Sequence, residues 1–124
     1  MQERPKNQRM WIMIAGPYTS GAKTESERAA NLHAMNAAAY RVFQLGHTPV
    51  IGVNMALPVI EAADAERNGD AHDELMMPIS LALAARCDAV LRIGGASKGA
   101  DKEMEVIRAN GGRVFLRVED VPRG

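Results

Sequence analysis

Glu103 is the acid that the chain's residue pattern marks most clearly for chemistry. It follows the run Gly94-Gly95-Ala96-Ser97-Lys98-Gly99, whose small residues let a ligand approach the backbone and leave amide groups open to an anion. A helix beginning near Gly99 puts Glu103 in a first turn and on one face with Ala100, Val106 and Ile107. That face points inward, whereas Asp101 and Glu105 align with Arg108 and Ala109 on a face suited to water. An acid on the apolar side of a helix is costly unless something uses it. The alternative is a capping acid, favoured near a helix N-terminus by the backbone dipole and the free amides there.

A second loop, Gly16-Pro17-Tyr18-Thr19-Ser20-Gly21-Ala22-Lys23-Thr24, nearly spells a phosphate-binding P-loop. Ala22 breaks the register, because in a P-loop the lysine follows the second glycine directly, so that amides and ammonium meet one phosphate. A looser role as an anion cradle survives. Tyr18 lies just past the first strand, and it meets the Ser97 to Glu103 loop at one sheet edge if the two strands are parallel neighbours. A tyrosine packed over the helix start with its hydroxyl in water is the plainer reading. His33, His47 and His72 have no spacing that makes a helical metal site and no cysteine partner, so neither metal nor cofactor is expected. No base is placed beside Cys87 or Ser97, which argues against a nucleophile triad.

The elements that must position these loops follow from the apolar pattern. Residues 10–15 form a continuous apolar run closed by Gly16-Pro17, the mark of a central strand buried on both faces. Thr24-Glu25-Ser26-Glu27 is a capping box, and Leu32, Met35, Ala39, Val42 and Phe43 recur at helical spacing until Gly46. Residues 48–52 read as a second short strand, and 53–70 as a mixed stretch with Pro58, an Ala/Glu-rich short helix and a turn at Asn68-Gly69-Asp70. Helix returns over 71–86, where Pro78 predicts a kink or a fresh start. Residues 88–93 form the third strand, 99–110 a helix stopped by Gly111-Gly112, and 113–118 the last strand. Alternating strands and helices predict an α/β protein, a small doubly wound parallel sheet with helices on both faces.

Composition narrows the function classes. At 124 residues the chain suits one domain, read as residues 10–124 behind a flexible arm over 1–9. Charges balance at 15 basic and 15 acidic residues with no basic stripe, so a small molecule is a better partner than nucleic acid. The apolar run at 11–15 is too short for a membrane span or a signal-peptide core. With Cys87 as the only cysteine, a reducing, cytoplasmic setting is expected. The eight methionines, including Met76-Met77, read as core.

Several stretches together resemble a known family. A first strand ends in Ala15-Gly16-Pro17-Tyr18, Asn31 sits in the next helix, and Leu45-Gly46-His47-Thr48-Pro49-Val50 leads into the second strand. Arg86-Cys87-Asp88-Ala89-Val90 leads into the third, and Ser97-Lys98-Gly99 precedes Glu103. Their order and spacing over residues 10–118 resemble the nucleoside 2-deoxyribosyltransferase-like superfamily, most nearly its short bacterial and phage branches. The resemblance implies a flavodoxin-like fold, a homo-oligomer (dimer or tetramer), and cleavage of the bond between a nucleobase and deoxyribose by hydrolysis or transfer. It implies that Glu103 attacks the anomeric carbon, that Tyr18 orients nucleophile or sugar, and that Ser97 and Gly99 hold the 5′ end. Gly16, Pro17, Ser20, Asp73, Ser80 and Lys98 complete the expected substrate-binding set. Ser20, Lys23, Ser97 and Lys98 in the two loops suit a 5′-phosphate. The chain departs from the family at Ser80, where an aspartate usually stands eight residues ahead of the position of Asp88. A hydroxyl cannot protonate a leaving base. Either Asp73 or Glu74 substitutes, or the chain is a nucleotide-binding module without turnover.

Overall fold

The computed structural model describes residues 8–67 and 71–124. The turn expected at Asn68-Gly69-Asp70 and residues 1–7 of the expected arm lie outside the described residues. In chain order the elements are β1 (Trp11–Ala15), α1 (Glu25–Gln44), β2 (Thr48–Val50), α2 (Gly52–Arg67), α3 (His72–Ala84), β3 (Ala89–Arg92), α4 (Lys98–Ala109) and β4 (Arg113–Phe115). A short 3-10 turn follows at Val118–Asp120. The four strands form one sheet in the order β2-β1-β3-β4, every pairing parallel, a small flavodoxin-like arrangement.

The central strands are apolar on both sides because both sides are covered. Ile12 and Ile14 of β1, with Ala89 and Leu91 of β3, face Met35 and Val42 of α1. Met13, Ala15 and Val90, at the alternate positions, face Ala84 of α3 and Ala100 and Ile107 of α4. Ile12, Met13, Ile14 and Leu91 are fully buried, each worth about 1.5–3 kcal/mol relative to exposure. Asp88 pins the strand starts, its Oδ2 accepting from the Trp11 amide at 2.8 Å.

Thr24 caps α1 as its sequence predicts, its Oγ1 accepting from the Glu27 amide at 3.0 Å. Glu27 returns a carboxylate oxygen to the Lys23 amide, also at 3.0 Å, so the acid reaches one residue further back than the usual box. Elsewhere the expected boundaries move. The second strand stops at Val50 and Gly52 already opens a helix. That helix, α2, runs 16 residues straight through Pro58, and α3 runs through Pro78 without a fresh start. In both helices the proline is exposed, as are Asn54 and Glu74, whose carbonyls lose the amide four residues on. Water can take those carbonyls, so the proline cost stays tolerable. The last strand is also shorter than expected, ending at Phe115, because the chain turns to bring Val118 and Val121 onto the α1 side of the core.

Candidate active site

The sheet order alone opens a crevice. From β1 the chain leaves toward α1 on one face, and from β3, its parallel neighbour, toward α4 on the other. The carboxyl ends of β1 and β3 are therefore a topological switch point, where α/β sheets bind ligands. The two loops there are fitted to each other. Gly94 has φ +77, open to glycine at little cost, and a Cβ on it would sit 2.7 Å from Pro17 Cδ. Asn31 of α1 donates to the Tyr18 carbonyl at 2.9 Å and anchors the first loop. Arg92 braces the second, donating from Nη2 to the Gly95 carbonyl at 2.9 Å and from Nε to Asp101 at 3.1 Å.

Between the loops lies a cavity of about 90 Å³. Gly16, Tyr18, Thr19 and Ser20 line it from the first loop, and Ser97, Gly99, Ala100 and Glu103 from the second loop and α4. The opposite wall comes from Val53 of α2 and from His72, Met76, Met77 and Ser80 of α3. The phenol and the carboxylate thus share one cavity, as parallel neighbouring strands require. Pro17 holds the loops together rather than lining the space. Lys98 and Lys23 are exposed and outside the lining. Asp73 is also outside it, with its side chain fully exposed, and Glu74 is exposed.

Glu103 is only 8 % exposed, and Ser80 opposite it 2 %. Burial pushes the Glu103 carboxyl up from 4.5 to about 7, against the opposing pull of a hydrogen bond from Ser80 and the positive charge of Arg92. Because α4 starts at Lys98, Glu103 lies past the first turn, where the dipole has faded and desolvation wins. Nor does Glu103 cap the helix. Ser97 does that, its Oγ accepting from the Ala100 amide at 3.2 Å, which leaves the hydroxyl proton to offer a ligand. Gly52 completes the environment from the start of α2. A Cβ there would overlap Ser80 Oγ and lie 3.0 Å from Glu103 Oε2, so only glycine allows this approach.

Of the α3 wall the sequence marked Ser80 but not His72, Met76 or Met77. His72, Met76 and Ser80 recur every four residues and so share one face of α3. That spacing was the available signal, hidden by the position of Pro78. Asp73 is one residue along and is rotated out of the cavity.

A larger concavity, about 380 Å³, lies at the other end of the sheet among Met10, Cys87, Asp88, Arg113 and Pro122. Its groups are poorly suited to catalysis. Burial, reinforced by Asp88 and Glu103, raises the Cys87 thiol to about 11, and Asp88 is engaged with Trp11. We therefore place the candidate site at the smaller cavity. Among the described residues no group of three or more His, Cys, Asp or Glu side chains could hold a metal ion. In comparisons with known proteins, no family model and no curated protein matches the chain.

Proposed function

We propose that the chain cleaves the N-glycosidic bond of a 2′-deoxynucleoside or its 5′-monophosphate, by hydrolysis or by transfer to a second base. The observation that carries this reading is the nearly buried Glu103, half-ionised near neutral pH, in a crevice at the switch point between β1 and β3. Its carboxylate attacks the anomeric carbon while the bond to the base nitrogen breaks, and the bonding pair leaves with the base. Water or an acceptor base then attacks the same carbon and returns the carboxylate. The half-buried Tyr18 orients the sugar or the nucleophile. Such chemistry would make the chain a member of the nucleoside 2-deoxyribosyltransferase-like superfamily that its motifs resemble.

The cavity's 90 Å³ fits a sugar-sized part of a ligand, well short of the ~300 Å³ at which small-molecule pockets begin. The base extends beyond it, past Val53 and Met77. A 5′-phosphate is held by the free first-turn amides of α4 at Lys98 and Gly99 together with Ser97 and Ser20. The exposed Lys98 side chain adds only screened attraction, so Lys98→Ala changes monophosphate affinity less than about fivefold. Apolar side chains exposed on α1 and α2 support a homo-oligomer. A cytoplasmic setting belongs to the same proposal, supported by the one unpaired cysteine.

The test is chromatographic assay of deoxynucleosides and their monophosphates, with and without acceptor bases, for wild type and Glu103→Ala. Full activity in the variant would exclude Glu103 as nucleophile. The presence of Ser80 favours a second reading, a nucleotide-binding module without turnover. Calorimetric binding without base release under any condition would select it.

A further inference from the structure

We propose that His72 is the general acid that protonates the leaving base and, in the second half-reaction, the base that activates water. The inference rests on the glycosidic reading of the site above. Cleavage of a deoxynucleoside expels a nitrogen anion unless a proton arrives as the bond breaks, and Ser80 cannot supply that proton at neutral pH. Among the described residues three titratable side chains line the cavity: Glu103, Tyr18 and His72. Glu103 is committed to the anomeric carbon, and a phenol is a weak acid at neutral pH. His72 brings an imidazole, the side chain most used to carry protons in catalysis.

The placement suits the task. His72 is the first residue of α3 and stands on the same helical face as Met76 and Ser80, on the wall facing the β1 and β3 loops. Its Nδ1 lies 3.4 Å from Asp73 Oδ1, and Nε2 is the ring nitrogen buried from solvent. Asp73, though outside the cavity, stands behind the ring at Nδ1. The proton inventory closes. The imidazolium gives its Nε2 proton to the departing base as the C1′–N bond breaks toward Glu103. The neutral ring then takes a proton from the water that attacks C1′, restoring both side chains and consuming one water per base released.

Substrates with different needs for a proton test the assignment. The four common deoxynucleosides require protonation of the base, whereas 4-nitrophenyl 2-deoxy-β-ribofuranoside loses a phenolate that does not. Rates are measured for wild type, His72→Asn, His72→Gln and Glu103→Gln, with the enzyme-free rate subtracted and circular dichroism checking the fold. Loss of about a hundredfold or more in kcat/KM on the cleaved deoxynucleoside, with the nitrophenyl substrate within about threefold of wild type, is expected for both His72 variants. Glu103→Gln should lose both activities. Equal losses on the two substrates in the His72 variants would make His72 a binding or packing residue, and undiminished rates on both would give it no part. Either result overturns this inference while leaving the Glu103 reading intact. A wild type that releases no base and no nitrophenolate overturns both.

Discussion

At the residue scale the central feature is a carboxyl that burial drives toward neutrality. The sign of its effect on stability is definite. Below the ordinary 4.5, Glu103 is protonated in both folded and unfolded chains; between 4.5 and about 7 only the folded chain keeps the proton. Stability is therefore fully present at acid pH, falls as pH rises through this window and stays lower above it, by on the order of 3 kcal/mol at roughly 1.4 kcal/mol per unit. Glu103→Gln should remove this dependence, melting above wild type at about pH 8 and level with it at about pH 4. The nucleophile requires the ionised form, so kcat/KM should rise with pH through an acid limb near 7. A limb at the ordinary carboxyl value would show that the free site is better solvated than its burial indicates. Helical spacing in the sequence was enough to put Glu103 on the inward face with Ala100 and Ile107. It could not give depth, which depends on Gly52 and Ser80 arriving from two other helices.

At the scale of elements, legibility followed the purity of the apolar pattern. The cores of β1, α1, β3 and α4 were readable because strand runs, a capping box and glycine stops coincide there. The extent of α3 was also readable, expected over 71–86 and found at His72–Ala84, whereas the length of α2 and the unbroken course of both helices were not, since Pro58 and Pro78 read as breaks and their exposure is a tertiary fact. Of that α3 face the sequence marked Ser80 but did not join His72 and Met76 to it. Thr24→Ala removes the α1 cap and should cost about 1 kcal/mol in denaturant unfolding, without changing activity. Gly52→Ala improves helix propensity by up to about 1 kcal/mol, but the added methyl overlaps Ser80. Overpacking of about 1–3 kcal/mol should prevail. The variant should melt lower and lose turnover disproportionately; a more stable, fully active protein would mean that Ser80 and Glu103 are free to shift.

For the whole molecule, the start of β1 and the C-terminal segment meet at the base of the sheet through His47. Its Nδ1 accepts from the Met10 amide at 3.0 Å and its Nε2–H donates to the Pro122 carbonyl at 2.6 Å. His47→Ala strands the buried Met10 amide and gives the exposed Pro122 carbonyl over to water, so it should cost about 1–3 kcal/mol, leaving the distant cavity intact in protein that stays folded. The opposite concern is surface. Tyr40 and Phe43 of α1 are 63 % and 64 % exposed, and Met55 and Val59 are exposed on α2, which joins α1 through an Asn54 to Asn36 hydrogen bond of 2.7 Å. Such apolar surface suits a second copy of the chain. Light scattering should give a dimer or tetramer at micromolar concentration, and Phe43→Asp should shift it toward monomer; a monomeric wild type would contradict this. Everything functional, however, turns on whether Glu103 breaks a glycosidic bond. The most direct measurement is trapping and mass determination of the protein after brief incubation with a 2′-deoxy-2′-fluoro nucleoside, whose fluorine slows release of a glycosyl-enzyme. The account predicts a mass increase of one fluorinated deoxyribosyl group, located on the peptide containing Glu103 and absent from Glu103→Gln. Release of base from ordinary deoxynucleosides with full activity in Glu103→Gln, or a sugar located on another residue, would contradict it.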